Sequence, residues 1–168
     1  RCSGSHVINY LLEQGKSVVG VDNLRLGKLT NLSNARESKK FWFLNHDLST
    51  PSSVPLLIEK LKKHSARWEI WHLAANSDIH KGSTDPKIDL EDTFMTTYHA
   101  LDIARSLPTN AFYFASSSAV YGEHDGEIEE SQGPLLPKSN YGAMKLASEA
   151  IICAAVEAWL KRAFIFRF

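Results

Sequence analysis

Five short apolar runs alternate with stretches of helical periodicity along this chain of 168 residues, and that alternation restricts the fold more than any other feature. The runs cover 17–21, 41–44, 68–73, 112–115 and 164–166. Each is continuous, short and bounded by polar residues, the pattern of parallel strands buried on both faces. Between them Val7, Ile8, Leu11 and Leu12 recur at helical spacing, with Gly15 as the stop. Val54, Leu57, Ile58 and Leu61 form a second stripe. A third covers 86–105 through Ile88, Leu90, Phe94, Leu101 and Ala104, and a fourth covers 141–160, capped by Ser139 or Asn140. Strand and helix alternating at this pace predict one α/β domain over 1–168 built on a doubly wound parallel sheet. No repeat, low-complexity segment or interdomain linker interrupts it.

Charge and composition exclude several function classes. Nineteen basic and nineteen acidic residues cancel, which leaves no electrostatic footprint for nucleic acid or an anionic membrane. No run approaches the ~18 apolar residues of a membrane span, and no signal peptide is visible. Cys2 and Cys153 form no metal or redox motif, and the seven histidines lack metal-ligand spacing, so no metal site is expected. A reducing, cytoplasmic setting is the default expectation.

The residues with the clearest chemistry lie in the second half. Ser116-Ser117-Ser118 closes the fourth apolar run, and Tyr141-Gly142-Ala143-Met144-Lys145 opens the last helix. Tyr and Lys four apart share one helix face. An ammonium beside a phenol favours the phenolate, which turns a group of free pKa ~10 into a base nearer neutral pH. A serine hydroxyl at a neighbouring strand tip would bridge that phenolate to a substrate alcohol. Such an arrangement suits removal of a carbinol proton as a hydride leaves.

Two acidic residues follow strands. Asp22, with Asn23, ends the first run; a carboxylate there either hydrogen-bonds an adenine ribose or forms a strand-end turn. Asp47, in His46-Asp47-Leu48, either approaches an adenine or caps a turn. Leu73-Ala74-Ala75-Asn76 closes the third run with small residues, allowing close approach of a cofactor or close helix–sheet packing. His72 reads as a buried histidine with its hydrogen bonds satisfied.

In order and spacing these segments resemble the extended short-chain dehydrogenase/reductases, within them the nucleotide-sugar epimerase/dehydratase group. The resemblance is carried by Val21-Asp22-Asn23-Leu24, His46-Asp47-Leu48, His72-Leu73-Ala74-Ala75, Ser116 to Gly122, Tyr141 to Lys145, and Arg167-Phe168. It implies a Rossmann-like fold, a tightly held NAD and a nucleoside-diphosphate sugar as substrate. By the same resemblance Ser117 matches the catalytic Ser/Thr, Tyr141 the base and Lys145 the ribose-binding lysine. Gly4, Asp22, Asn23, Asp47, Leu48, Leu73, Ala74 and Ala75 match cofactor-binding positions. Relatives dimerise through a four-helix bundle, to which 86–105 and 141–160 correspond. Ile151, Ile152, Ala155, Val156 and Trp159 would supply apolar surface for it.

Three departures qualify the match. The family's Gly-x-x-Gly-x-x-Gly loop follows a strand, whereas this chain opens at Arg1-Cys2-Ser3-Gly4-Ser5-His6 with Gly4 alone. The chain stops at Arg167-Phe168, where relatives continue into a sugar-binding region. Thr93 occupies a position often held by Asn, and no role is assigned to it. The first two lead to the expectation of a fragment lacking its first strand and its substrate region, which by itself binds NAD poorly and turns over nothing.

The reaction is suggested by the positions after Ser117. Family dehydratases carry Asp-Glu there; this chain carries Ser118 and Ala119, which cannot do that proton work. The expectation is therefore an epimerase acting by transient oxidation at C4. A 4-ketoreductase or dehydratase of the same family is an alternative, and a catalytically inactive dinucleotide sensor or scaffold is another of a different class.

Overall fold

The structure is a computed structural model that describes residues 3–64, 66–76, 78–124 and 126–168. Cys2 lies outside the described residues. Each expected strand forms: β1 Val18–Asp22, β2 Phe41–Asn45, β3 Trp68–His72, β4 Thr109–Ser116 and β5 Ala163–Arg167. All pairings are parallel, from Val18↔Phe41 in the first ladder to Ser116↔Arg167 in the last.

The strands do not form one continuous sheet. They divide into a β1–β2 ladder and a β3–β4–β5 ladder, with no hydrogen bonds pairing β1 to β3 among the described residues. Helices span the division. Helix α3 (Ser53–Lys62) contributes Val54, Leu57 and Leu61, and α6 (Thr96–Ser106) with the residue after it contributes Ile103 and Leu107. This cluster packs on Val19, Val21 and Leu44 of one ladder and on Trp68 and Ile70 of the other. On the opposite face of β1, Gly20 looks toward Phe41 and toward Ile8 of α1 (Ser3–Glu13). The first ladder is thus covered on both sides, and α1 stops where Gly15 adopts φ 76°.

The second ladder departs from the expectation of burial on both faces. Period-two alternation sends Phe112 and Phe114 under α6 and α7 (Asn140–Ala158), where Ala100, Leu101, Ala104, Ile152 and Ala155 close a core. Alternation sends Tyr113 the other way, stacked between Trp71 at 4.1 Å and Phe164 at 4.9 Å. That face is only partly covered, and Phe164 is 41% exposed.

The third expected helix is composite. Asp85 caps α5 (Pro86–Asp89) by accepting from the Lys87 amide, a π-helical stretch covers Leu90–Met95, and α6 follows. A π stretch widens the helix, a device often found at functional sites. Helix α2 (Ser33–Arg36), α4 (Ile79–Thr84) and the 3₁₀ turn Ser118–Tyr121 are too short to show a period in sequence. Ser139 is the cap of α7, its hydroxyl accepting from the Gly142 amide at 3.0 Å. No helix among the described residues is long and apolar enough to cross a membrane.

Candidate active site

A cavity of about 1850 Å³ lies between the two ladders and reaches the carboxyl ends of β1 to β4. In open α/β folds that end of the sheet is where ligands bind. Asp22 and Asn23 line it from β1, Asp47 and Leu48 from the turn after β2, and Leu73, Ala74 and Ala75 from β3. Ser117 enters from β4, Tyr141 and Lys145 from α7, and Gly4 from α1. The residues matched in the sequence to cofactor-binding and catalytic positions therefore line one cavity.

The carboxylates after β1 and β2 are fixed by turns. Asp22 Oδ1 accepts from the Leu24 amide at 2.6 Å, which holds Leu24 at φ 58° in the left-handed region. Asp47 Oδ1 accepts from the Ser49 amide at 2.8 Å and hydroxyl at 2.7 Å, while Asn23 Nδ2 donates to Asp47 Oδ2 at 2.9 Å. Burial alone would raise the Asp47 carboxyl, but the bonds from Ser49 and Asn23 outweigh it and leave its pKa lowered. Both turn readings thus hold, and both residues also face the cavity. Arg25, with more than half of its side chain exposed, pairs through its guanidinium with Asp92 of the π stretch.

Gly142 allows the start of α7 to lie against the turn that carries Ser117. A Cβ there would stand 2.6 Å from the Ala119 carbonyl oxygen, so a side chain would force helix and turn apart. Ser117 caps that turn, its hydroxyl accepting from the Ala119 amide at 3.2 Å. Lys145 is almost wholly buried and donates to the Ala115 carbonyl at 2.6 Å, with its ammonium 4.6 Å from the centre of the Phe114 ring and 5.7 Å from that of Tyr141. Burial lowers its pKa to about 8, against the opposing pull of Glu149.

The phenol differs from the sequence expectation. Burial raises the Tyr141 pKa, a hydrogen bond with Ser117 pulls it back, and the charge of Asp89 raises it further. The ammonium expected to favour the phenolate is engaged with backbone instead. His72 is buried and bonded to the Thr97 hydroxyl at 3.0 Å. Burial, then the nearby Lys145 charge, lowers its pKa to about 3, so it stays neutral.

Some residues of this region were not legible as site residues. Glu149, one helical turn beyond Lys145, accepts from Ser116 at 2.5 Å and from Arg167 Nη2 at 2.7 Å, and Arg167 Nη1 also donates to the Tyr121 hydroxyl at 2.9 Å. Asp89 and Asn76 form a second buried cluster at the foot of α7. The i, i+4 spacing of Lys145 and Glu149 was the available signal for the first; the second depends on contacts that no local pattern reveals. Among the described residues no group of three or more His, Cys, Asp or Glu is arranged to hold a metal ion.

The residues present fit a dinucleotide at both ends, with carboxylates at β1 and β2, a hydroxyl at the end of β4 and a phenol and ammonium on α7. Between them the amino end of α1 faces the cavity at Gly4, where a Cβ would meet nothing within 4 Å. The chain is similar to known proteins over most of its length. A UDP-glucose 4-epimerase of Mycolicibacterium smegmatis is 31% identical over 150 residues, which is 89% of this chain and 46% of that protein. A dTDP-glucose 4,6-dehydratase of Salmonella typhimurium is 28% identical over 172 residues, 90% of this chain and 46% of that protein. The chain thus spans about half the length of the curated relatives it matches. A Thermus thermophilus UDP-glucose 4-epimerase, solved with NAD, superimposes with a TM-score of 0.85 at 29% identity, covering 98% of this chain and 50% of that one. The family model described as GDP-mannose 4,6 dehydratase matches residues 3–165, so the chain belongs to that family of NAD-dependent nucleotide-sugar epimerases and dehydratases.

Proposed function

We propose that residues 1–168 form the NAD-binding part of an epimerase that inverts C4 of a nucleoside-diphosphate sugar. The observation that carries this reading is the convergence of Ser117, Tyr141 and Lys145 on one cavity wall with no carboxylate beside them in the 3₁₀ turn. Loss of water from the sugar needs an acid and a base there; Ser118 and Ala119 supply neither. Bound NAD would accept the C4 hydride and return it to the opposite face of the 4-keto sugar. Tyr141 takes the 4-hydroxyl proton, and Ser117 hydrogen-bonds both the phenol and the substrate oxygen. Lys145 holds the ribose hydroxyls. Asp22, Asn23, Asp47 and Leu48 bind the adenosine end, Leu73, Ala74 and Ala75 line the middle, and Gly4 belongs to the pyrophosphate end.

The raised Tyr141 pKa fits a base that is neutral until substrate and cofactor arrive. Positive charge brought by the oxidised cofactor favours the phenolate at the moment it is required. The test is Tyr141→Phe in the intact enzyme. Turnover of UDP-glucose or UDP-galactose is expected to fall ~100-fold or more with cofactor binding nearly unchanged. Near-normal turnover would remove Tyr141 from the mechanism.

A further inference from the structure

Asp89 ends α5 and is fully buried. Its Oδ1 accepts from Asn76 Nδ2 at 2.8 Å, whereas Oδ2 has no hydrogen-bond partner. A buried carboxyl oxygen without a donor is costly and calls for a reason. Oδ2 faces Gly82 of α4, where an added Cβ would lie 1.9 Å away, so the carboxyl occupies the space a side chain at 82 would need. That close packing sets Gly82, and the Gly82 carbonyl accepts from Asn140 Nδ2 at 2.9 Å. Asn140 is the first residue of α7 and immediately precedes Tyr141. On the other side Asn76 bonds the Thr93 hydroxyl through its amide at 3.1 Å, which ties the cavity-lining loop after β3 to the π stretch. One carboxyl therefore joins the β3 loop, α4 and the start of α7.

We infer that Asp89 is a positioning residue for Tyr141: wedged against Gly82, it fixes the loop after β3 and the first turn of α7 in one register. This rests on the reading of Tyr141 as the base. The groups acting on the phenol are Ser117 from the turn after β4 and Asp89 from α5. Lys145 of the same helix stands 5.7 Å from the ring centre, while His72 of β3 and Glu149 of α7 act with Lys145. Burial first, and then the Asp89 charge, works against ionisation of the phenol, so the base stays protonated in the empty site.

The experiment is an NMR titration of the full chain with ring-labelled tyrosine, Tyr141 being assigned from Tyr141→Phe. Asp89→Asn keeps the shape and removes the charge, and the Tyr141 midpoint is expected to fall while the other tyrosines stay put. A second variant, Gly82→Ala, displaces the carboxyl. It is expected to speed amide exchange of Gly142 and Ala143 about tenfold at neutral pH, with exchange in β4 unchanged. An unmoved Tyr141 midpoint in Asp89→Asn overturns the inference. If that variant does not fold, unchanged exchange at Gly142 and Ala143 in Gly82→Ala overturns it instead. Because the titration reads the phenol and not turnover, it can fail while Tyr141 remains the base, and the reverse also holds.

Discussion

Lys145 gives its ammonium to the carbonyl oxygen of Ala115, 2.6 Å away across the α7–β4 contact, and stands 5.7 Å from the ring centre of Tyr141. The lysine is thus anchored by the strand that delivers Ser117. This makes it a buried cation held by one backbone dipole, the π face of Phe114 and the nearby charge of Glu149.

The folded chain should therefore become more stable in mild alkali. Lys145 has a pKa of about 8 folded, against 10.5 in its ordinary state, because burial disfavours the charge. Between those values the unfolded chain binds the extra proton, so stability rises with pH; below about 8 the penalty is fully present. From pH ~7.5 to ~9.5 the gain is about 2 kcal/mol by linkage. Urea midpoints at the two pH values measure it. Lys145→Met should flatten the slope, and an equal slope in that variant would contradict the assignment.

Cofactor choice should depend on Asp22 and on the Arg25–Asp92 pair. A carboxylate at the ribose repels a 2′-phosphate, and the nearest guanidinium is already paired with Asp92. Asp22→Ala is expected to reduce the preference for NAD over NADP roughly tenfold, about 1.4 kcal/mol. Asp92→Asn releases Arg25 and should improve NADP affinity, with Arg25→Ala reversing the gain. Calorimetric affinities for both nucleotides decide it, and unchanged ratios in Asp22→Ala would show that this carboxylate does not read the ribose.

Glu149 is expected to be the costliest polar side chain to truncate. It serves Ser116 and two nitrogens of Arg167, and Glu149, then Tyr121, holds the Arg167 pKa above its ordinary value. Glu149→Ala takes the shared carboxylate from the Ser116 hydroxyl and from Nε and Nη2 of Arg167. Because the Arg167 side chain is 23% exposed, the loss should be about 2–3 kcal/mol, below that of a fully buried pair. Denaturant titration measures it, and a loss below about 1 kcal/mol would mean that water substitutes freely.

The proposed dimer rests on fewer residues of α7 than its sequence suggests. Ile152 and Ala155 belong to the internal core, whereas Val156 and Trp159 are each 36% exposed and Tyr98 of α6 is 48% exposed. If the intact protein dimerises through α6 and α7, Val156→Glu should weaken the dimer at least tenfold, since interface cores exclude unpaired charge. Sedimentation equilibrium reads this directly, and a monomeric unmutated protein would end the proposal.

Strand positions were legible because buried parallel strands need apolar runs, and the turns after them because Asp22 and Asp47 accept from amides two residues ahead. Ser117, Tyr141 and Lys145 were legible by spacing. The state of the phenol was not, since it depends on burial and on Asp89, 52 residues away in sequence. The division into two ladders was visible only as the expectation of a missing strand. The open face of β3–β4–β5 was not visible at all: Tyr113 and Phe114 are equally apolar, and only tertiary packing shows which one α6 and α7 cover.

The gap between the ladders has a consequence for exchange with solvent. Successive residues of a strand direct their amides to opposite edges. In β1 and β3 only one edge is paired among the described residues, whereas β4 lies between two strands. Deuterium uptake should therefore be periodic along β1 and β3, with every second amide locked and its neighbours open at the slot. Along β4 the protection should be continuous.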